Sequence, residues 1–141
     1  MDIHHITPDY AVGPQIEPAD LAELAQLGFT TVICNRPDAE VPPDLQTAAM
    51  RDAAQAAGLT FVANPVINGG LTMDMVAGQG RAIAAATGPI FAYCRSGTRS
   101  TIVWALSKAG HMPTDAIISA AAKAGYDVAG MRGQIDALAT S

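Results

Sequence analysis

One segment of the chain carries the residue types of a nucleophilic site: Tyr93-Cys94-Arg95-Ser96-Gly97-Thr98-Arg99-Ser100. Its cysteine closes an apolar run, Gly88-Pro89-Ile90-Phe91-Ala92-Tyr93, and a loop of small and basic residues follows before a helix-forming stretch begins near Thr98 or Arg99. Backbone N–H groups at a helix start carry partial positive charge and favour an anion. The same field, with a guanidinium nearby, favours the thiolate over the thiol, and the thiolate is the nucleophile. Gly97 lets the backbone turn tightly with its amides facing inward. An inert core cysteine is the plain alternative, but two arginines within five residues of a buried thiol would be hard to accommodate. The segment therefore predicts Cys94 as nucleophile and Arg99 as anion clamp, with Arg95, Ser96, Gly97, Thr98 and Ser100 completing an anion cradle.

The elements around this segment alternate. Pro18 to Leu27 reads as a helix stopped by Gly28, and Phe29 to Cys34 as an apolar, β-branched strand. Asn35-Arg36-Pro37-Asp38 opens a loop that runs to Pro42-Pro43; Asp44 to Ala57 is a second helix, and Thr60 to Ala63 the next strand, closed by Asn64-Pro65. Asn68-Gly69-Gly70 is a turn, Thr72 an N-cap, and Met73 to Ala86 a third helix. The strand Ile90 to Tyr93 precedes the cysteine loop, and helices follow over Arg99–Ala109, Thr114–Ala124 and Val128–Leu138. Ile3–Ile6 and Tyr10–Val12 are short strand candidates. This order predicts an α/β fold: a mostly parallel sheet flanked by helices in three layers. In such sheets ligands bind beyond the carboxyl ends of the strands. Cys94 lies at such an end, and the Arg36, Asp38 and Asn68 loops are expected on the same rim.

Bulk composition sets limits. The 141 residues are half hydrophobic and 15% charged, which suits one compact domain spanning 1–141. A formal charge of −5 and a pI near 4.9 argue against nucleic acid or an anionic membrane as the main partner, so an anion site must be local. No apolar run approaches the roughly 18 residues of a membrane span, and the first residues lack the pattern of a secretory signal. Two cysteines, Cys34 and Cys94, are too few for a disulfide scaffold, so a cytoplasmic setting is expected. No metal site or cofactor is expected, since His4, His5 and His111 are scattered and the cysteines lack ligand spacing.

Four stretches together carry a family resemblance: Gly13-Pro14-Gln15-Ile16, Gly28 through Asp38, Asn64-Pro65-Val66 with Gly69-Gly70-Leu71-Thr72, and the cysteine loop. From Ile3 to about Ala109 the chain resembles the phosphatase-like domain of beta-lactamase-hydrolase-like proteins, a bacterial family also labelled as sulfurtransferases. The resemblance implies the α/β fold of cysteine-dependent dual-specificity phosphatases. It also offers two chemistries. Cysteine phosphatases carry five residues between Cys and Arg, whereas this chain has four, and Cys-Arg-Ser-Gly-x-Arg-Ser is similar to the active loop of rhodaneses, which carry a sulfane sulfur. A shorter ring suits a persulfide better than a phosphoryl group with three equatorial oxygens. The resemblance further implies a general acid on the loop after the strand preceding the cysteine strand, yet Pro65 to Gly70 holds no carboxylate, leaving Asp38 as a possible substitute. Loss of such an acid forfeits about 10²–10⁴-fold in phosphoryl transfer, whereas sulfite or a thiolate leaves without protonation.

The sequence thus favours a cysteine-dependent sulfurtransferase working through a Cys94 persulfide, with a phosphatase using a thiophosphate intermediate as the alternative and a non-catalytic anion-binding module as a third reading. The partner is expected to be a small anion (thiosulfate, a persulfide or a phosphate ester), with a protein thiol as a possible acceptor. The Ser100 hydroxyl is a candidate donor to the thiolate or a plain helix cap, and Arg95 either forks over the entrance or pairs with a carboxylate to brace the loop. Arg36 and Asp38 are expected to pair and hold their loop, with lining of the substrate entrance as the other reading. Cys34 reads as a core thiol, with resolution of a Cys94 persulfide as the other possibility. Trp104 reads as core and the histidines as surface residues.

Overall fold

The computed structural model describes residues 1–140. Five strands, β1 (His4–Thr7), β2 (Tyr10–Gly13), β3 (Thr31–Cys34), β4 (Thr60–Ala63) and β5 (Ile90–Tyr93), form one sheet in the order β1-β2-β5-β3-β4. β1 runs antiparallel to β2, and the remaining pairs are parallel. Six helices cover it: α1 (Asp20–Gln26), α2 (Thr47–Ala56), α3 (Met73–Ala85), α4 (Thr98–Ser107), α5 (Thr114–Lys123) and α6 (Arg132–Ala139). The α/β architecture expected from the alternation of elements is the one observed, including the two short N-terminal strands.

Strand alternation assigns the two faces. Tyr10, Val12, Ile33, Ile90 and Ala92 point into the layer that includes Val76 of α3, Val103 and Trp104 of α4, Ile117 of α5 and Ile135 of α6. Ala11, Val32, Cys34, Phe91 and Tyr93 point the other way, onto Leu21 and Leu24 of α1 and Met50 and Ala54 of α2. Each side chain points opposite to its chain neighbours, as period-two geometry requires. Every residue of β5 is buried, which is why that central strand reads as a continuous apolar run. Trp104 is fully buried and stacks near Tyr10, as expected of a core residue.

Boundaries differ from the sequence reading where local hydrogen bonds decide them. β3 begins at Thr31 because the Phe29 amide closes the end of α1 on Leu24 O at 3.2 Å. α2 begins at Thr47, not Asp44, because Pro43–Leu45 forms a separate 3₁₀ turn. Another 3₁₀ turn, Ala129–Met131, precedes α6. Thr72 does cap α3, its side chain accepting from the Met75 amide.

Register decides where the strands end. Gly13 pairs with Tyr93, Tyr93 with Cys34, and Cys34 with Ala63, so β2, β5, β3 and β4 end at one level. The segments after these strands, at Gln15, Cys94, Asn35-Arg36 and Asn64-Pro65-Val66, leave the sheet along a common rim. No helix among the described residues is long and apolar enough to cross a membrane.

Candidate active site

The loop between β5 and α4 closes around the Cys94 sulfur. Gly97 adopts φ +91°, a left-handed conformation that only glycine takes without strain, and it starts α4. Its N–H donates to Cys94 Sγ at 3.1 Å. Among the described residues the N–H groups of Arg95 and Ser96, and those of Arg99 and Ser100 in the first turn of α4, take no acceptor. Such a set of open amides at a helix start favours an anion. Tyr126, on the segment between α5 and α6, donates its hydroxyl to Ser96 O at 3.0 Å. Burial raises the Tyr126 pKa, and the neighbouring Cys94 and Asp2 add to that.

Arg99 is buried and its guanidinium is divided between two tasks. Nη1 donates to Glu40 Oε2 and to Val66 O, both at 2.8 Å, and Nη2 donates to Glu40 Oε1 at 2.8 Å. Glu40 therefore grips the end-on edge of the fork. Of five guanidinium donors, Nε–H and the second Nη2–H remain, and they form the side-on edge that suits two oxygens of one oxyanion. Hydrogen bonding to Glu40 raises the Arg99 pKa first, and the adjacent Cys94 adds to it. In return Arg99, followed by Arg36, holds Glu40 below the usual carboxylate range. Arg36 reaches Glu40 Oε1 and Gln15 Oε1, each at 3.3 Å.

Behind the loop lies a buried polar network. Ser100 Oγ donates to Asn35 Oδ1 at 2.8 Å, and Asn35 Nδ2 donates to Gln79 Oε1 at 2.8 Å and Asn64 O at 2.9 Å. Gln79 Nε2 donates to Tyr10 Oη at 2.9 Å, and Tyr10 Oη donates onward to Ser100 O at 2.9 Å. Asn64 Nδ2 completes it with bonds to Gln79 Oε1 and Met75 O. The network links β2, the ends of β3 and β4, α3 and the first turn of α4. Paired in this way, buried amides and hydroxyls rigidify their surroundings. Gly78 on α3 leaves room for it, since a Cβ there would sit 3.0 Å from Asn64 Oδ1.

The structure brings Cys94, Gly97, Arg99 and the loop amides together, and corrects several expectations. Cys94 has 0% exposure and Arg99 is buried with it, against the argument that nearby arginines disfavour a buried thiol. The Ser100 hydroxyl serves Asn35 and does not donate to the sulfur. Arg95 is exposed and braces nothing, while the exposed Ser96 and Thr98 side chains bond each other at 3.0 Å. Asp38 does not pair with Arg36; its Oδ1 accepts from Thr47 N and Thr47 Oγ1 at 2.8 and 2.7 Å, which caps α2. Asn68 joins no site contact, whereas Val66 on the same loop does through its carbonyl. His4 is half-buried, its ring 5.8 Å edge-on to Tyr126. Cys34 belongs to the α1–α2 face, where burial above all raises its pKa, and its thiol donates to Arg36 O at 3.3 Å. Sequence reasoning missed Glu40, Gln79 and Tyr126 altogether.

A cysteine at the carboxyl end of a central parallel strand, followed by an amide-lined turn and a buried arginine, defines a protein of the cysteine-phosphatase-like α/β class. The chain belongs to the family described as beta-lactamase hydrolase-like protein, phosphatase-like domain, whose model matches residues 2–111. It is 32% identical over 130 residues to a beta-lactamase hydrolase-like protein of Xylella fastidiosa, covering 91% of this chain and 30% of that one. The chain thus spans about a third of the length of the curated relatives it matches. A solved structure of a candidate phosphatase from Neisseria meningitidis is 34% identical, with a TM-score of 0.81 over 98% of this chain and 99% of that one. PTPMT1, solved in complex with PI(5)P, shares the fold at 13% identity, with a TM-score of 0.76 over 98% and 94% of the two chains. These likenesses back the phosphatase alternative; sulfur transfer, which the loop spacing favours, gains no support from them.

Proposed function

We propose that residues 1–141 act as one domain, a cysteine-dependent phosphatase for phosphate monoesters with good leaving groups, aryl phosphates such as phosphotyrosine foremost. The observation that carries the reading is the division of Arg99: Glu40 occupies its end-on edge and leaves the side-on edge turned to Cys94. Two phosphoryl oxygens would lie on that edge, and the open amides of Arg95, Ser96, Arg99 and Ser100 would take the remaining charge. The Cys94 thiolate attacks phosphorus, an S–P bond forms, and the ester P–O bond breaks with its electron pair on the leaving oxygen. Water then attacks phosphorus and releases phosphate and the thiolate.

The choice of leaving group follows from the acids nearby. Asp38 is engaged by Thr47, and Glu40 is kept ionised by two arginines. With neither placed to supply a proton, the departing oxygen must carry its own charge, which a phenolate does far better than an alkoxide. The test is turnover of a chromogenic aryl phosphate, with isolation of a phosphorylated protein on rapid quench. Loss of both in Cys94→Ser is expected; turnover persisting in that variant overturns the proposal.

Sulfur transfer stays as a second reading on one observation, the four-residue spacing between Cys94 and Arg99. Here the thiolate would attack the sulfane sulfur of thiosulfate, form an S–S bond and expel sulfite with the electron pair. Mass spectrometry after thiosulfate treatment separates the readings: a stable gain of one sulfur on Cys94, without aryl phosphate turnover, selects this one.

A further inference from the structure

The peptide joining Ser96 to Gly97 is held at both ends. Its N–H donates to Cys94 Sγ at 3.1 Å, and its C=O accepts from Tyr126 Oη at 3.0 Å. In a trans peptide these two groups point in opposite directions across one plane, so fixing the carbonyl fixes the amide. We infer that Tyr126 is a positioning residue for the Cys94 thiolate: by anchoring the Ser96 carbonyl on the outside of the loop, it keeps the Gly97 N–H aimed at the sulfur.

The need for such an anchor follows from the loop's chemistry. Rotation of this peptide changes ψ of Ser96 and φ of Gly97, and glycine accepts φ of either sign, so sterics alone do not choose the orientation. The peptide on the other side of Gly97 is already fixed, because the Gly97 carbonyl accepts from Thr101 N at 3.0 Å and Thr101 Oγ1 at 2.8 Å. A flipped Ser96–Gly97 peptide would turn carbonyl oxygen toward the sulfur and repel the thiolate. Tyr126 is itself placed by the His4 ring, edge-on at 5.8 Å, and by Gly97, where any side chain would collide with the tyrosine hydroxyl. It lies on the segment between α5 and α6, beyond the residues that the family model matches, which end at 111.

The inference rests on the proposed thiolate chemistry, and the test separates the two. Cys94 alkylation by iodoacetamide is followed against pH, together with the ultraviolet absorbance of the thiolate, in the wild type, Tyr126→Phe and Tyr126→Leu. The charged or titratable groups nearest the sulfur are Arg95, next to it in the chain, Arg99, with Glu40 on its far edge, and Tyr10, Cys34 and Tyr126. Only the last is altered, and burial raises the pKa of all three of Tyr10, Cys34 and Tyr126, so none carries charge near neutral pH. Loss of one hydrogen bond of ordinary strength is expected to reduce the thiolate fraction roughly 2- to 12-fold on the rising limb of the profile. Tyr126→Phe, which keeps the ring but not the hydroxyl, should match Tyr126→Leu and should lower kcat more than it alters KM. A Tyr126→Phe profile that overlays the wild type, whatever Tyr126→Leu does, overturns the inference. A wild-type protein with no thiolate signal near neutral pH overturns the proposed phosphatase chemistry instead.

Discussion

Replacing Glu40 by Gln isolates the element that aims Arg99. The wild-type carboxylate accepts two charge-assisted bonds at 2.8 Å from a guanidinium that is 8% exposed, while the Glu40 side chain is 30% exposed. Fully buried, breaking such a pair would cost about 3–5 kcal/mol; fully exposed, about 0–1 kcal/mol. Glutamine keeps one acceptor and sets an NH₂ group against the other guanidinium N–H. The intermediate burial and the retained acceptor place the stability loss at about 1–2 kcal/mol, or a Tm lowered by about 3–8 °C for a chain of this length. The kinetic effect should be larger in proportion, because a guanidinium free to turn no longer presents its side-on edge. Loss of one charged hydrogen bond in the transition state, about 1.5–3 kcal/mol, predicts kcat/KM down by about 10- to 150-fold on an aryl phosphate. The pH dependence gives a second readout. Glu40 titrates lower in the folded chain than in the unfolded one, so the unfolded state binds more protons between the two values and stability rises with pH there. The stabilisation is complete above the ordinary carboxylate range and is lost as pH falls through the depressed value. Wild type and Glu40→Gln should therefore converge in Tm on acidification. If Tm falls as expected while kcat/KM is unchanged, Glu40 is a structural partner only and the aiming role is refuted.

Three further substitutions probe separate parts of the site. Gln79→Leu keeps the volume but removes four side-chain hydrogen bonds around Asn35, Asn64 and Tyr10; each partner keeps another bond, so chemical denaturation should report a loss of about 2–4 kcal/mol, and a loss below about 1 kcal/mol would show the network to be slack. Gly97→Ala forces a side chain at φ +91° and against the Tyr126 hydroxyl, and should abolish turnover while the far-ultraviolet circular dichroism stays native; retained turnover would show that the loop tolerates another shape. Asp38→Asn should lower stability by about 0.5–1 kcal/mol through the α2 cap and leave kcat on aryl phosphates within about twofold; a fall of about 10²-fold or more would identify Asp38 as the general acid after all.

Legibility followed sequence distance. Cys94, Gly97 and Arg99 lie within six residues of one another, and their types state the chemistry without help from the fold. The placement of the Asn35 and Asn64 segments on the rim was equally open, because parallel strands end together. Glu40 was not, since its partner Arg99 is 59 residues away; the only trace of it in the sequence is an acid four residues after Arg36 in a loop already assigned to the rim. Gln79 left a fainter mark, a polar residue on the otherwise apolar inner face of α3, where Val76 and Ala82 are buried beside it. Tyr126 left none, because nothing in Gly125-Tyr126-Asp127 distinguishes a loop anchor from an ordinary surface turn. Asp38 and Ser100 misled for a common reason: short polar side chains near a helix start have competing backbone and side-chain partners, and position alone does not choose among them.

The satisfied and unsatisfied groups of the site are sharply divided, and the division bears on function. Asn35, Asn64, Gln79, Tyr10 and Ser100 bond one another behind the loop, and Glu40 and Val66 use up three of the Arg99 donors. In front, among the described residues, four amides are left without acceptors and one edge of Arg99 meets only the Cys94 sulfur. Folding ordinarily pairs such donors, and a cluster of unpaired ones is retained against that tendency. An oxyanion would satisfy them without displacing any bond behind the loop, so the rear network can stay rigid while the front binds. On a chain of net charge −5, that local concentration of donors, and not the overall field, is what would draw an anion to Cys94.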